Sequence, residues 1–183
     1  MTETRNPYAP PKSAVVDSVA TNDAYFSVGT VKLSLMAFTT FGVYVLYWFY
    51  RNWKVIRQRN HLPISPFWRA FFAPLWSFSL GKRFEADAKE RNISIGLPVA
   101  TFGILYLVLS ALGRLPEPYS LISLFSFIPI VPFDRAARRL NGNGILAEPT
   151  HGRYSAWNIA WLVLGAVLVI LAVIGSFRPD GVA

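Results

Sequence analysis

Cysteine is missing from all 183 residues, histidine occurs twice, and only 15% of the chain is charged. Each shortage closes off a class of function. Without cysteine there are no disulfides, thiolate metal sites or thiol nucleophiles. His61 and His151 each sit in loop-like surroundings with no ligand-spaced partner, so no metal site and no cofactor are expected. Soluble domains carry about 25% charged residues, so this chain has too little charge to cover a water-soluble globule. Acidic residues number ten and none falls inside an apolar run. A carboxylate-driven transporter is therefore not expected, because coupled ions and protons need an ionisable group at bilayer depth.

What the chain has instead is apolar and aromatic surface: 53% hydrophobic and 15% aromatic, with a net charge of +8 and a pI near 10.0. A basic balance suits nucleic acid, an anionic membrane surface, or the charge bias of a membrane protein. Nucleic-acid binding would need rings interleaved with charge on a soluble face. Here the rings lie in apolar runs, so no nucleic-acid partner is expected.

Four runs read as spans. They are 31–50 (VKLSLMAFTTFGVYVLYWFY), 95–113 (IGLPVATFGILYLVLSALG), 119–133 (YSLISLFSFIPIVPF) and 157–177 (WNIAWLVLGAVLVILAVIGSF). About twenty apolar residues rising about 1.5 Å each cross a hydrocarbon core of about 30 Å. The third run is short, and Pro129 and Pro132 predict a kinked helix continuing into DRAARRL. The five residues RLPEP suit a tight hairpin between the second and third runs.

Residues 66–91 differ. Their apolar part is interrupted by Arg69 and Pro74, and Phe67, Trp68, Phe71, Phe72, Leu75, Trp76 and Phe78 supply an aromatic face. That pattern predicts an interfacial or re-entrant amphipathic helix, with a fifth, kinked span as the alternative. Residues 1–22, with Pro7, Pro10 and Pro11, lack an apolar core and read as a disordered tail. Residues 23–183 then form a single helical domain. The expected fold class is an all-α membrane protein with four transmembrane helices, one interfacial helix and a disordered N-terminal tail.

Charge sets the expected orientation. Placing residues 51–94 and 134–156 in the cytoplasm keeps thirteen of the eighteen basic residues inside and leaves both termini outside. Tyr47, Trp48, Tyr50 and Trp53 are the expected interfacial anchors, since amphipathic rings prefer the headgroup level. Arg69, Arg135, Arg138 and Arg139 are the candidate contacts to anionic lipids. Glu85, Asp87 and Glu90 are expected to pair locally with Lys89 and Arg91 as solvated helix charges.

The stretch TFGVYVLYWFYRNWKVIRQRN, with Gly42, Tyr44, Tyr47, Trp48, Phe49 and Tyr50, resembles the core of the domain-of-unknown-function 4234-like bacterial membrane proteins. The resemblance covers roughly residues 22–90 and implies an integral protein of the bacterial cytoplasmic (inner) membrane; it carries no functional residues. No catalytic constellation accompanies it. The expected role is a non-enzymatic scaffold or envelope accessory protein that meets the lipid bilayer, copies of itself or other membrane proteins. The alternative is a small permease or channel-forming oligomer, for which Thr101, Ser110, Ser120, Ser123 and Ser126 would line a path.

Overall fold

The computed structural model describes residues 24–116 and 119–176, so the expected disordered tail lies outside the described residues. Among the described residues the regular structure is all helical. An extended segment, residues 24–29, leads into α1 (Thr30–Thr39), α2 (Val43–Arg59), α3 (Pro66–Phe71), α4 (Ala73–Glu90) and α5 (Val99–Leu112). A 3₁₀ helix (Tyr119–Ile130) runs directly into α6 (Val131–Asn141), and α7 (Ala156–Ser176) closes the chain.

Two helical stretches, Tyr119–Asn141 and Ala156–Gly175, are long and apolar enough to cross a membrane; α1 and α5 are shorter apolar helices. The third expected run is a helix continuing into DRAARRL, as the prolines suggested, but its first twelve residues are wound as a 3₁₀ helix. The fourth expected run, 157–177, coincides with α7 to within a residue at each end.

The first expected span, 31–50, is not one helix. The chain breaks at Thr40–Gly42, where Phe41 and Gly42 take φ of 51° and 83°. The amide of Gly42 reaches back to the carbonyl of Ala37 at 2.8 Å and that of Thr40 to Met36 at 3.1 Å, closing α1 with a left-handed turn. The hydroxyl of Thr40 donates to the Met36 carbonyl at 2.6 Å and accepts the amide of Tyr44 at 3.0 Å, ending one helix and starting the next. Glycine meets the positive φ without a Cβ clash.

The two arms of this helical hairpin return to one end of the molecule. The ring of Phe26 meets that of Tyr47 at 5.6 Å, and the guanidinium of Arg59 lies 4.5 Å from the centre of the Tyr25 ring. Residues 40–42 are therefore an apex, and α1 at ten residues is only about 15 Å long.

The core sits where α2, α4, α5 and α6 converge. Trp48, Phe49, Trp53, Leu80, Phe84, Ile130, Phe133 and Leu140 are fully buried there. Residues 66–91, expected as one interfacial helix, form a short α3 and a long α4 that hinge at Phe72. Gly103 lets α5 close on α4: a Cβ there would stand 2.6 Å from the Phe78 ring. α7 is the least covered helix and leans on α1 at Gly165, where a Cβ would come 2.1 Å from the Thr39 carbonyl oxygen.

Candidate functional site

The extended segment Tyr25–Gly29 is held by side chains from distant elements. Its backbone has no strand partner, so its amides and carbonyls must be met in another way. Asn141 does this for Tyr25, accepting its amide and donating to its carbonyl, both at 2.8 Å. Asn52 repeats the arrangement for Phe26 at 3.1 and 3.0 Å, and its amide group also reaches the Trp48 carbonyl at 3.1 Å. Thr150 accepts the Ser27 amide at 3.0 Å.

The Asp134 carboxylate takes the next two amides, Val28 at 3.0 Å and Gly29 at 3.1 Å, and also accepts the indole N–H of Trp48 at 3.0 Å. It is fully buried, and α6 carries it on the same face as Phe133, Ala137 and Leu140. Three donors on a buried carboxylate offset much of its desolvation.

At the near end of the segment, the phenol of Tyr25 donates to Asp87 at 2.5 Å, and Arg59 meets the same carboxylate oxygen at 2.5 Å. Burial first, and the bond to Asp87 second, push the Tyr25 phenol above its ordinary value. Asp87 is thus a tertiary link. Its expected local partner, Arg91, is 3.9 Å away, while Arg59 comes from another helix.

Beyond the clamp, a cleft of about 1420 Å³ opens between α1, the start of α2 and α7. Its polar end is formed by Lys32 and the loop Glu148–Tyr154, its apolar end by Met36, Trp161, Leu164 and Leu168. Lys32 is buried rather than extended toward water, and its ammonium donates to the carbonyls of His151 at 2.8 Å and Arg153 at 2.6 Å.

The four expected ring anchors divide. Tyr47 and Tyr50 are on the open face of α2, whereas Trp48 and Trp53 are fully buried. Trp48 points inward because its indole serves Asp134, and Trp53 because α3 folds over it. Those two are core residues and not headgroup anchors.

The candidate lipid-contacting arginines divide as well. Arg69 lies between two indoles, 4.5 Å from the Trp53 ring and 4.1 Å from that of Trp76. Arg135 is exposed. Arg138 donates through Nε to the Ala147 carbonyl at 2.7 Å and so pins the following loop. Arg139 packs over Gly96, where an added Cβ would stand 3.0 Å from its Nη1. The three arginines of α6 therefore do not form one free cationic surface.

Asp134, Asn52 and Asn141 were absent from the sequence-based candidates. The residues suggested as a polar path are partly spent at home: the Ser123 hydroxyl donates to the Ser120 carbonyl at 2.7 Å. Among the described residues no group of acidic or histidine side chains is placed to hold a metal ion. No family model, curated protein or solved structure matches the chain.

Proposed function

We propose that the protein is a multi-pass integral protein of the bacterial cytoplasmic membrane, acting as a non-enzymatic scaffold or accessory protein. One observation carries this reading. The six buried polar or charged side chains among the described residues, Ser27, Lys32, Thr39, Asn52, Ser77 and Asp134, each bond to backbone. The polar interior is used to hold the chain in place, as in a structural protein whose working surfaces are outside.

Those outer surfaces are apolar. Val163, Leu164, Val167, Leu168, Ile170 and Leu171 on α7 are each about half exposed, as are Ile104 and Val108 on α5. Apolar area on this scale suits hydrocarbon. The hairpin supports an orientation different from the expected one. With Tyr25 beside Arg59 and Asp87, the segment before α1 lies on the same side as the basic end of α2. Among the described residues, the basic side chains other than Arg114 then fall on that side, a stronger bias than the four-span arrangement gave. α5, the 3₁₀ helix and α7 make the crossings, and α1–α2 enters and returns.

The absence of cysteine makes the test direct. The protein should remain in the membrane pellet after alkaline washing. Ala24→Cys and Gln58→Cys should both be shielded from an impermeant thiol reagent in intact cells, and Gly175→Cys should react. Release by alkali would remove the membrane reading. Labelling of Ala24→Cys but not Gln58→Cys would restore a full first span.

The permease alternative has one observation in its favour, the cleft beside α7. It predicts solute flux in protein-containing vesicles that Gly165→Leu abolishes.

A further inference from the structure

Arg69 and Arg83 converge on one indole. Their guanidinium carbons lie 4.5 and 5.8 Å from the centre of the Trp53 ring, and Arg69 is also 4.1 Å from the Trp76 ring. Neither arginine is in an ion pair among the described residues, where Asp87 is the carboxylate that forms them. Two donors at this place are buried without a partner: Nε of Arg83 and Nε1 of Trp53. A buried donor left unpaired costs about 1–3 kcal/mol, so a pair of them beside two like charges is an arrangement suited to an acceptor from outside the chain.

The surroundings say what kind of acceptor. Next to Arg69, the α3–α4 corner exposes Phe67, Trp68, Phe71, Phe72 and Leu75, each by 46–61%. Such a corner enters hydrocarbon and puts the arginines at headgroup depth. Beside Arg83, a groove of about 640 Å³ runs along the outside of α4. Its walls are Leu75, Trp76 and Phe78 toward the aromatic corner, and Lys82 and Arg83 at the other end. Apolar walls below and cations above match one molecule with a tail and an anionic head.

We infer that Arg69 and Arg83 form a specific site for an anionic phospholipid, with the phosphate bridging the two guanidinium groups and an acyl chain in the α4 groove. Planar guanidinium forks suit phosphate oxygens, and the indoles hold Arg69 by stacking. The inference rests on the membrane reading above, adds Arg83, which the sequence did not single out, and places the buried Trp53 beside the two arginines instead of in the anchor role expected of it. It also separates Arg69 from the arginines of α6, of which Arg138 is tied to the following loop, Arg139 packs over Gly96 and Arg135 is exposed.

The test uses the full-length protein in nanodiscs of phosphatidylcholine, with and without phosphatidylglycerol. Phosphatidylglycerol should raise the thermal midpoint of the wild type and survive detergent exchange as bound lipid in native mass spectra. Arg83→Lys keeps the charge but loses the fork and Nε, and should cut retained lipid at least tenfold. Lys89→Gln removes an exposed charge of the same helix outside the groove and should leave retention within twofold. Equal retention in wild type and Arg83→Lys, or loss only in Lys89→Gln, would mean diffuse surface attraction and overturn the site. A wild type indifferent to phosphatidylglycerol would overturn it without any variant. Inorganic phosphate alone should not reproduce the midpoint shift; if it does, the ligand is a free phosphate and the lipid assignment is wrong. Alkaline extraction of the same wild type separates the two readings, since release there fails the membrane reading, whereas retention with no lipid effect fails this site alone.

Discussion

The indole N–H of Trp48 meets the carboxylate of Asp134 at 3.0 Å across 86 positions of sequence, and the same oxygen takes the amide of Val28. One carboxylate therefore joins α2, α6 and the extended segment. Asp134→Ala would leave three donors unpaired in a buried place, and about 3–5 kcal/mol of stability should go with them. Trp48→Phe removes one of the three bonds and should cost about 1–2 kcal/mol. Denaturant unfolding in detergent reads both. A loss under about 1 kcal/mol for Asp134→Ala would show that the carboxylate is not what fastens the segment.

Asn141 mimics a strand neighbour for Tyr25. Asn141→Asp keeps the acceptor and loses the donor, while Asn141→Leu loses both. Amide exchange at residues 25–29 should rise in that order, with Asn141→Leu raising it more than tenfold (about 1.4 kcal/mol or more of local protection). Uniform acceleration across α2 and α4 would instead mark a global loss of stability.

Gly165 is where α7 comes closest to the rest of the molecule. Gly165→Ala puts a methyl group against a carbonyl oxygen that cannot move aside without bending α1. Overpacking of this kind costs about 1–3 kcal/mol. The expected result is a lower thermal midpoint and protease-accessible residues 150–155, with Gly175→Ala, which meets nothing within 4 Å, as the silent control.

His151 gives stability a pH dependence. Its ring lies 4.6 Å from that of Phe26, and Nδ1 pairs with the Thr150 hydroxyl at 3.1 Å. Burial first, then the positive charges of Arg51 and Lys32, hold the imidazole below its ordinary 6.5. The folded state thus favours the neutral ring. Its contribution is fully present above the unfolded value and is lost as pH falls through the lower folded value. The midpoint should fall on acidification from about pH 7 toward pH 5, less steeply in His151→Gln. Parallel curves for the two proteins would assign the fall to other groups.

The apolar surface was legible in the sequence because long apolar runs need only length and composition to be recognised. α7 could be bounded to within a residue, and the aromatic corner was visible as ring spacing. The hairpin was not legible. Twenty apolar residues read the same whether the helix continues or reverses, and the reversal depends on Phe41 accepting a positive φ that its side chain does not advertise. The clamp was hidden for another reason: most of its bonds to the extended segment join positions more than a hundred apart, such as Tyr25 with Asn141. Asp134 is one of the acidic residues outside the apolar runs, and nothing in its local sequence singles out Asn141. The available signal was periodicity, since Asp134 shares a helical face with Ala137 and Leu140, and Asn52 lies one turn beyond Trp48.

The apex at Phe41–Gly42 has a consequence for the bilayer itself. Phe41 and Val43 are 46% and 63% exposed, and α1 reaches only about half of a hydrocarbon core of about 30 Å. In the proposed re-entrant arrangement, a helix pair turning back at mid-depth would displace lipid from one leaflet and leave the other leaflet's area untouched. The protein would then take up more area in the basic-side leaflet, and its insertion would relieve lateral tension where that leaflet is stretched. Such a wedge would partition by shape, gathering where the basic-side leaflet is convex and thinning out where it is concave.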